Sequence, residues 1–358
     1  MTTDTLGGIY AHTLNLVREL STAGWEIKLA TMGPPPTPEQ RAVLRALPQV
    51  EFFESTYRLE WMEDPWRDVD AAGEWLLELE RQTRPDVIHL NGYCHAALPW
   101  NAPVIVVGHA CLLSWWQAVF GEPAPERYGE YRYRVSRGLA AASALVTPTH
   151  AMLKKLAANY GQLPPAIVIA NGIRSDDWQP APKEPLFFAT GRLWDRAKNL
   201  TMLDAIASEL PWPVGVAGER CAIELPRSAR INLLGVLDQA DLSDRLSRAA
   251  VFIHPARYEP FGLAVVEAAC SGCALVLGDL DTLREVWGDA ALYVDPSEPF
   301  ELLAAAQHLA SDHATRRNLA RKARARARLY RIERSARAYI ELYSRVAHAS
   351  TLTERVAL

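Results

Sequence analysis

One stretch, Arg257-Tyr-Glu-Pro-Phe-Gly-Leu-Ala-Val-Val-Glu267, constrains the fold of this chain more than any other. Ahead of it, Val251 to Ile253 is an apolar run that ends at His254-Pro255. Behind it, Leu263 to Cys270 is apolar, and Gly272 supplies a helix stop. The pattern predicts a strand, a short loop and a helix. The backbone N–H groups of Phe261, Gly262 and Leu263 then fall on the loop and first helical turn. There the helix has no partner to offer them, and its dipole adds partial positive charge. Such an end suits an anion or polarised hydroxyls. Two carboxylates flank it, Glu259 before the helix and Glu267 within it. One carboxylate can accept two hydroxyls of a sugar or ribose together. Glu267 sits among Val265, Val266, Ala268 and Ala269, and a buried carboxylate needs partners. Ordinary surface acids would explain either glutamate alone, but not the whole string.

The rest of the chain repeats the strand-then-helix unit, the mark of an α/β protein with parallel sheets. At 358 residues, two domains are expected. Near the start, Gly7-Gly8 opens a helix with the stripe Leu14, Leu16, Val17 and Leu20, stopped at Gly24. A glycine loop opening a helix lets backbone N–H groups approach a phosphate closely. A strand through Trp25, Ile27 and Leu29, a helix from Glu39 to Leu47, an aromatic loop from Tyr57 to Trp66 and a helix from Ala71 to Gln82 follow. The segment from Pro85 to Gly92 reads as a strand running into a loop, and Val104 to Val107 as a strand ending at Gly108-His109. Ligands of parallel sheets bind beyond the C-terminal strand ends, which places His89, Asn91 and His109 at a crevice. His12, His89 and His95 are read as structural or supporting. Trp115, Trp116 and Phe120 are read as part of a loop that, with Trp61 and Trp66, either stacks on an acceptor or packs a core.

In the second half, Leu186 to Thr190 is a strand, followed by Gly191-Arg-Leu-Trp-Asp-Arg-Ala-Lys-Asn199 and a helix from Leu200 to Leu210. Arginine can fork two phosphate oxygens and lysine supplies a point charge, so this loop suits a diphosphate. Further strands are expected at Val214 to Ala217, Ile231 to Leu237, Ala274 to Leu277 and Leu292 to Val294, and a helix from Asp241 to Ala249. Arg316 to Arg337 is an arginine-rich helix with an apolar stripe of Leu319, Ala323, Ala327 and Tyr330. We read it as a solvated face, with docking on anionic lipid as the alternative.

Composition excludes several classes. A net charge of -4 gives no case for nucleic-acid binding. Five scattered cysteines, Cys94, Cys111, Cys221, Cys270 and Cys273, build no disulfide framework and fit a reducing cytosol. Cys270-Ser-Gly-Cys273 has no second pair to complete a zinc site. No run is long enough to span a bilayer, and no signal peptide is visible.

Taken together, these motifs resemble those of retaining glycosyltransferases with the GT-B fold, family 4 (group 1), in which Glu259 and Glu267 match a Glu-x7-Glu pair. The resemblance implies an α/β fold of two Rossmann-like domains facing a central cleft. Residues 1–174 would form an acceptor-side domain, residues 186–337 a nucleotide-sugar donor domain after a linker, and residues 338–358 a helix returning to the first domain. It implies that Gly7 and Gly8 reach the donor's phosphate and sugar, and that His109 lies beside the transferred sugar. Arg192 and Lys198 would bind the phosphates. The spacing here is one residue longer than the family's, which makes Arg196 a rival for the second role. Glu267 would hold the ribose, Glu259 the sugar hydroxyls, and the N–H groups of Phe261, Gly262 and Leu263 would assist. Family members begin with an apolar strand before the glycine loop. Here it is apparently missing, which points to a start upstream of Met1.

The implied reaction moves a sugar from a nucleotide diphospho-sugar to a hydroxyl of a glycan, a glycolipid or a small molecule. It proceeds with retention, without metal and without cofactor. A sugar-nucleotide epimerase and a non-catalytic carbohydrate-binding protein of the same fold are the alternatives. The expected location is cytoplasmic, with peripheral contact at the inner face of the membrane as a variant.

Overall fold

The computed structural model describes residues 1–219 and 228–356, with side chains to residue 349. The chain divides into two compact units. The first comprises Met1–Gln117, Glu122–Gly172 and the residues from Ile332 on; the second comprises Ala118–Gly121 and Ile173–Arg331. Cys94, Cys111, Cys270 and Cys273 are buried thiols outside any disulfide among the described residues, and Cys221 lies outside the described residues. No helix among the described residues is long and apolar enough to cross a membrane.

The first unit runs β1 (Thr2–Thr3), α1 (Gly7–Thr22), β2 (Ile27–Thr31), α2 (Pro38–Arg45), β3 (Val50–Glu54), α3 (Trp66–Thr83), β4 (Ile88–Leu90) and β5 (Val104–Val107). It continues with α4 (Leu112–Phe120), α5 (Gly129–Ala141), β6 (Ala144–Thr147), α6 (His150–Tyr160) and β7 (Ala166–Val168). The strands pair in parallel in the orders β1-β2-β3 and β4-β5-β6-β7. Parallel strands covered on both faces read as continuous apolar runs, which is why β5 is legible from sequence.

A first strand does exist, contrary to the sequence reading. Thr2 and Thr3 pair with Ala30 and Thr31. Main-chain bonds make it: Ala30 N–H donates to the Met1 carbonyl at 2.9 Å, Met32 N–H to the Thr3 carbonyl at 3.0 Å, and the Met1 amine to the Lys28 carbonyl at 2.7 Å. Two threonines carry no apolar periodicity, so no pattern announces them. A cavity of about 210 Å³ lies alongside, lined among others by Leu20, Ile27, Leu76, Val87, Leu90 and Trp100.

The second unit runs β8 (Glu184–Thr190), α7 (Thr201–Ile206), β9 (Val214–Ala217), β10 (Ile231–Gly235), α8 (Gln239–Arg248) and β11 (Ala249–His254). Then come α9 (Leu263–Cys270), β12 (Ala274–Gly278), α10 (Asp281–Trp287), β13 (Leu292–Val294), α11 (Pro299–Ser311) and α12 (His313–Ala327). Its six strands lie in the parallel order β10-β9-β8-β11-β12-β13. Phe187, Leu203, Val251, Val276 and Leu302 are fully buried in its core, each worth roughly 1.5–3 kcal/mol of burial.

The arginine-rich tail is two helices, not one. After α12, α13 (Ile332–Val356) belongs to the first unit. Between them Arg331 is extended, because it bridges Ile173, whose N–H donates to the Tyr330 carbonyl at 3.0 Å. Leu319, Ala323 and Ala327 are buried as a stripe. Arg326 donates to the carbonyls of Glu285 and Val286, and Arg316 to those of Leu309 and Ala310. Both sets are last-turn carbonyls, of α10 and α11, where cations are favoured. In the first unit, Ile332, Ala336, Tyr339, Leu342 and Tyr343 of α13 enter the core with Leu16, Val17 and Leu20 of α1.

Candidate active site

In the second unit, β8 and β11 are neighbours, with β9 on the far side of β8 and β12 on the far side of β11. The chain leaves these two strands in opposite directions, so the loops that follow them open a crevice at a topological switch point. Those loops are residues 191–199 and 255–262. Main-chain and amide bonds tie them together. Arg257 N–H donates to the Ala197 carbonyl at 2.8 Å, and Asn199 Nδ2 donates to the Pro255 carbonyl at 2.9 Å and the Pro296 carbonyl at 2.8 Å. Asn199 holds a left-handed backbone, φ 55°, which ends the short turn Arg196–Lys198 and turns the chain into α7.

This joinery sets Lys198 on Glu259, Nζ to Oε2 at 2.7 Å. His254, at the end of β11, reaches the same oxygen through Nε2 at 3.0 Å. Its ring is buried, stacked on Phe252, and its Nδ1 has no hydrogen-bond partner among the described residues. Burial works to raise the pKa of Glu259, but the Lys198 ammonium and the His254 hydrogen bond more than offset it. They hold the carboxyl well below the usual carboxylate range. Glu259 is therefore an ionised, oriented acceptor. Thr282 Oγ1 donates to its carbonyl at 2.6 Å and fixes the main chain.

Gly262 caps α9 with φ 90°, a conformation that a side chain would resist. The N–H groups of Phe261, Gly262 and Leu263 donate to no group among the described residues. The Phe261 side chain is buried edge-on against Tyr330 at 5.3 Å, so only its backbone is available to a ligand. Glu267 stands half-buried on α9, its carboxyl group makes no hydrogen bond among the described residues, and burial pushes that carboxyl up to about 8.

Arg192 follows Gly191 after β8. Its Nη2 donates to Asp195 Oδ2 at 2.8 Å, and its guanidinium lies 5.0 Å from the Trp194 ring centre. Its Nε is buried without a hydrogen-bond partner among the described residues. Arg196 is exposed, whereas Lys198 is half-buried on Glu259. Of the two rival cations, Lys198 is the one joined to the glutamate.

In the first unit, Gly7 and Gly8 are exposed at the start of α1, with φ 59° at Gly7. Leu6 N–H donates to Asp4 Oδ1 at 3.1 Å and shapes that turn. His109, just beyond β5, is buried, and its Nε2 lies 2.8 Å from Asn91 Oδ1. Burial first, then the His12 and His89 rings, keep its pKa well below the ordinary histidine value. His95 Nε2 donates to the Val69 carbonyl at 2.9 Å, a structural role. Trp115 and Trp116 lie on α4, a helix rather than the expected loop. Trp116 packs tilted against Tyr128 with the Arg127 guanidinium over its ring, Trp66 carries Arg134 at 4.8 Å, and Trp61 is exposed.

Two contributors escaped the sequence reading: His254 reads as a strand end and Asp195 as a loop residue. Asn91 is placed at a crevice by its strand, but without its partners. The position of each beyond a parallel strand was the available signal.

The profile described as Glycosyltransferase Family 4 matches residues 6–177, and that of Glycosyl transferases group 1 matches residues 175–326. The chain belongs to the family 4, group 1 glycosyltransferases. It is an enzyme of the GT-B fold, like the solved structures it resembles. A sucrose-phosphate synthase from Thermosynechococcus elongatus superposes with a TM-score of 0.80 at 19% identity, covering 96% of this chain and 94% of that one. Anabaena HepE, solved with UDP, gives 0.74 at 16% identity, covering 96% and 98%. Among curated relatives, a glycogen synthase of Mycobacterium tuberculosis is 26% identical over 90% of this glycosyltransferase and 86% of its own length. An O-antigen chain mannosyltransferase B of Escherichia coli is 38% identical over 20% of this chain and 19% of its own.

Proposed function

We propose that this glycosyltransferase transfers a hexose from a nucleotide diphospho-sugar to a hydroxyl acceptor, with retention of anomeric configuration and without a metal ion. The observation that carries the proposal is the Lys198–Glu259–His254 group, which joins the loop after β8 to the loop after β11. It sets a cation, an ionised acceptor and unpaired N–H groups at one crevice of the second unit. A diphosphate needs the first, sugar hydroxyls the second, and both can use the third.

In the proposed step, the bond from the anomeric carbon to the diphosphate oxygen breaks and the bond to the acceptor oxygen forms on the same face. The acceptor's proton passes to the departing diphosphate oxygen. Lys198 and Arg192 meet the negative charge that builds on the leaving group, the stabilisation that matters most in such a transfer. Glu259 orients sugar hydroxyls, and Glu267 as a carboxylate accepts ribose hydroxyls. His109 and the Gly7–Gly8 turn take the sugar and phosphate roles that the family resemblance gives them. The neighbours solved with UDP and with UDP-glucose support a nucleotide-sugar donor. Buried thiols fit a reducing, cytoplasmic setting.

The test is a panel of UDP-glucose, GDP-mannose and ADP-glucose with glycan and glycolipid acceptors, with and without a chelator. The expected outcome is nucleoside diphosphate release tied to a product of unchanged anomeric configuration, indifferent to chelation. An inverted product, or activity abolished by chelation and restored by a divalent ion, sinks the corresponding half of the proposal.

A further inference from the structure

The Asn91 side chain uses both its amide nitrogen and its amide oxygen twice. Its Nδ2 donates to the Thr2 carbonyl at 2.8 Å and to Thr13 Oγ1 at 3.1 Å. Its Oδ1 receives His109 Nε2 at 2.8 Å and His89 Nε2 at 3.1 Å. Its backbone N–H donates to Thr2 Oγ1 at 3.1 Å. The Thr2 carbonyl can only accept, so it must face the amide nitrogen, and the amide oxygen must face the two rings. An amide oxygen can only accept as well. Both histidines therefore carry hydrogen on Nε2.

His89 spends its second nitrogen within the protein, where Nδ1 accepts from the Tyr343 hydroxyl at 2.6 Å. His109 has no such second bond among the described residues. We propose that Asn91 is a positioning residue that fixes His109 as the neutral Nε2–H tautomer, leaving Nδ1 bare to accept a hydroxyl of the transferred sugar. The proposal rests on the reading of His109 as the sugar-facing histidine, and goes beyond it in naming the acceptor atom and the residue that sets it.

The surroundings agree. His12 of α1 lies edge-on to His109 at 5.6 Å, and Tyr339 of α13 lies against His12 and His89. The groups that act electrostatically on these rings are the rings themselves and, for His89, the Met1 amine. None of them would stabilise an imidazolium. Burial pushes His89 down to about 3 and His12 to about 4. A neutral acceptor also suits a transition state in which the sugar ring gains positive charge, where an imidazolium would oppose it.

The wild-type enzyme labelled with ¹⁵N-histidine tests the assignment directly, with His109→Gln used to identify the signal. His109 is expected to show a protonated Nε2 and a bare Nδ1 from about pH 6 to about pH 9. A proton on Nδ1, or titration within that range, overturns the proposal. Kinetics follow with UDP-glucose, GDP-mannose and ADP-glucose in turn. Asn91→Ala should lower kcat about tenfold or more while donor KM moves less than about threefold, and its His109 signal should show mixed tautomers. A folded Asn91→Ala enzyme with wild-type kcat overturns it. If that variant does not fold, the wild-type NMR result alone supports or overturns the assignment. If the wild type turns over none of the three donors, the transfer reading is what fails, and the NMR result judges the tautomer.

Discussion

Lys198 and Glu267 separate two ways in which a side chain can serve a donor. Lys198 should matter most when the leaving diphosphate gains charge. Lys198→Ala is expected to lower kcat by roughly 10²-fold or more, with a smaller change in donor KM; steady-state kinetics read the split. Glu267 should matter for binding. In the free enzyme it keeps its proton up to about 8, above its ordinary 4.5. Two ribose hydroxyls call for the carboxylate, so binding must expel that proton. Donor affinity should therefore rise with pH up to about 8 and then level off. Calorimetry in buffers of different ionisation enthalpy should show proton release below that point. The same raised value means that the folded state holds the proton more tightly than the unfolded chain. Its contribution to stability is thus lost as pH climbs from about 4.5 towards 8. Both residues stand out in the sequence because one string and one loop carry them. The sequence places Asn91 at a strand end, but the contacts of His254 and Asn91 were not legible, since they depend on partners that only folding brings near: Asn91 finds Thr2 and Thr13 from 89 and 78 positions away.

The elements of the sheet interiors could be read almost residue by residue. β5, β9 and β13 are where their apolar runs put them. The misses have physical reasons. β3 is an edge strand with Glu51 paired to Lys28 and Glu54 to Arg41, so charge hides its alternation. β1 is two threonines paired through the main chain, so no apolar alternation marks it. The joint of α12 and α13 is set by Ile173, far upstream in sequence. One further element-level feature invites a test. The loops after β8 and β9 cross backbone to backbone, and a Cβ on Gly218 would collide with the Gly191 carbonyl. Gly191 N–H is bound to the Ala217 carbonyl at 3.0 Å and Gly218 N–H to the Gly235 carbonyl at 2.8 Å, so neither loop can retreat. Gly218→Ala should cost roughly 1–3 kcal/mol. Thermal denaturation should show that loss together with weaker nucleoside diphosphate binding, because Arg192 follows the displaced carbonyl.

Over the whole molecule, the first unit is assembled from separated pieces of chain while nearly all of the second is continuous. The second unit contains the Lys198–Glu259–His254 group and its own apolar core. A chain ending at Arg331 should therefore still bind UDP, GDP or ADP with at most a modest loss, as titration calorimetry would show. Its first unit should lose fixed packing, because Ile332, Ala336, Tyr339 and Leu342 leave the core, and near-UV dichroism would register the change. That arrangement also sets an order of events during synthesis. The amino-terminal half leaves the ribosome first, yet it must wait for α13, which follows the whole of the second unit in the chain, before its interior can close. The later half can finish folding ahead of the earlier one, and the exposed face of α1 needs shelter from other nascent chains in the interval.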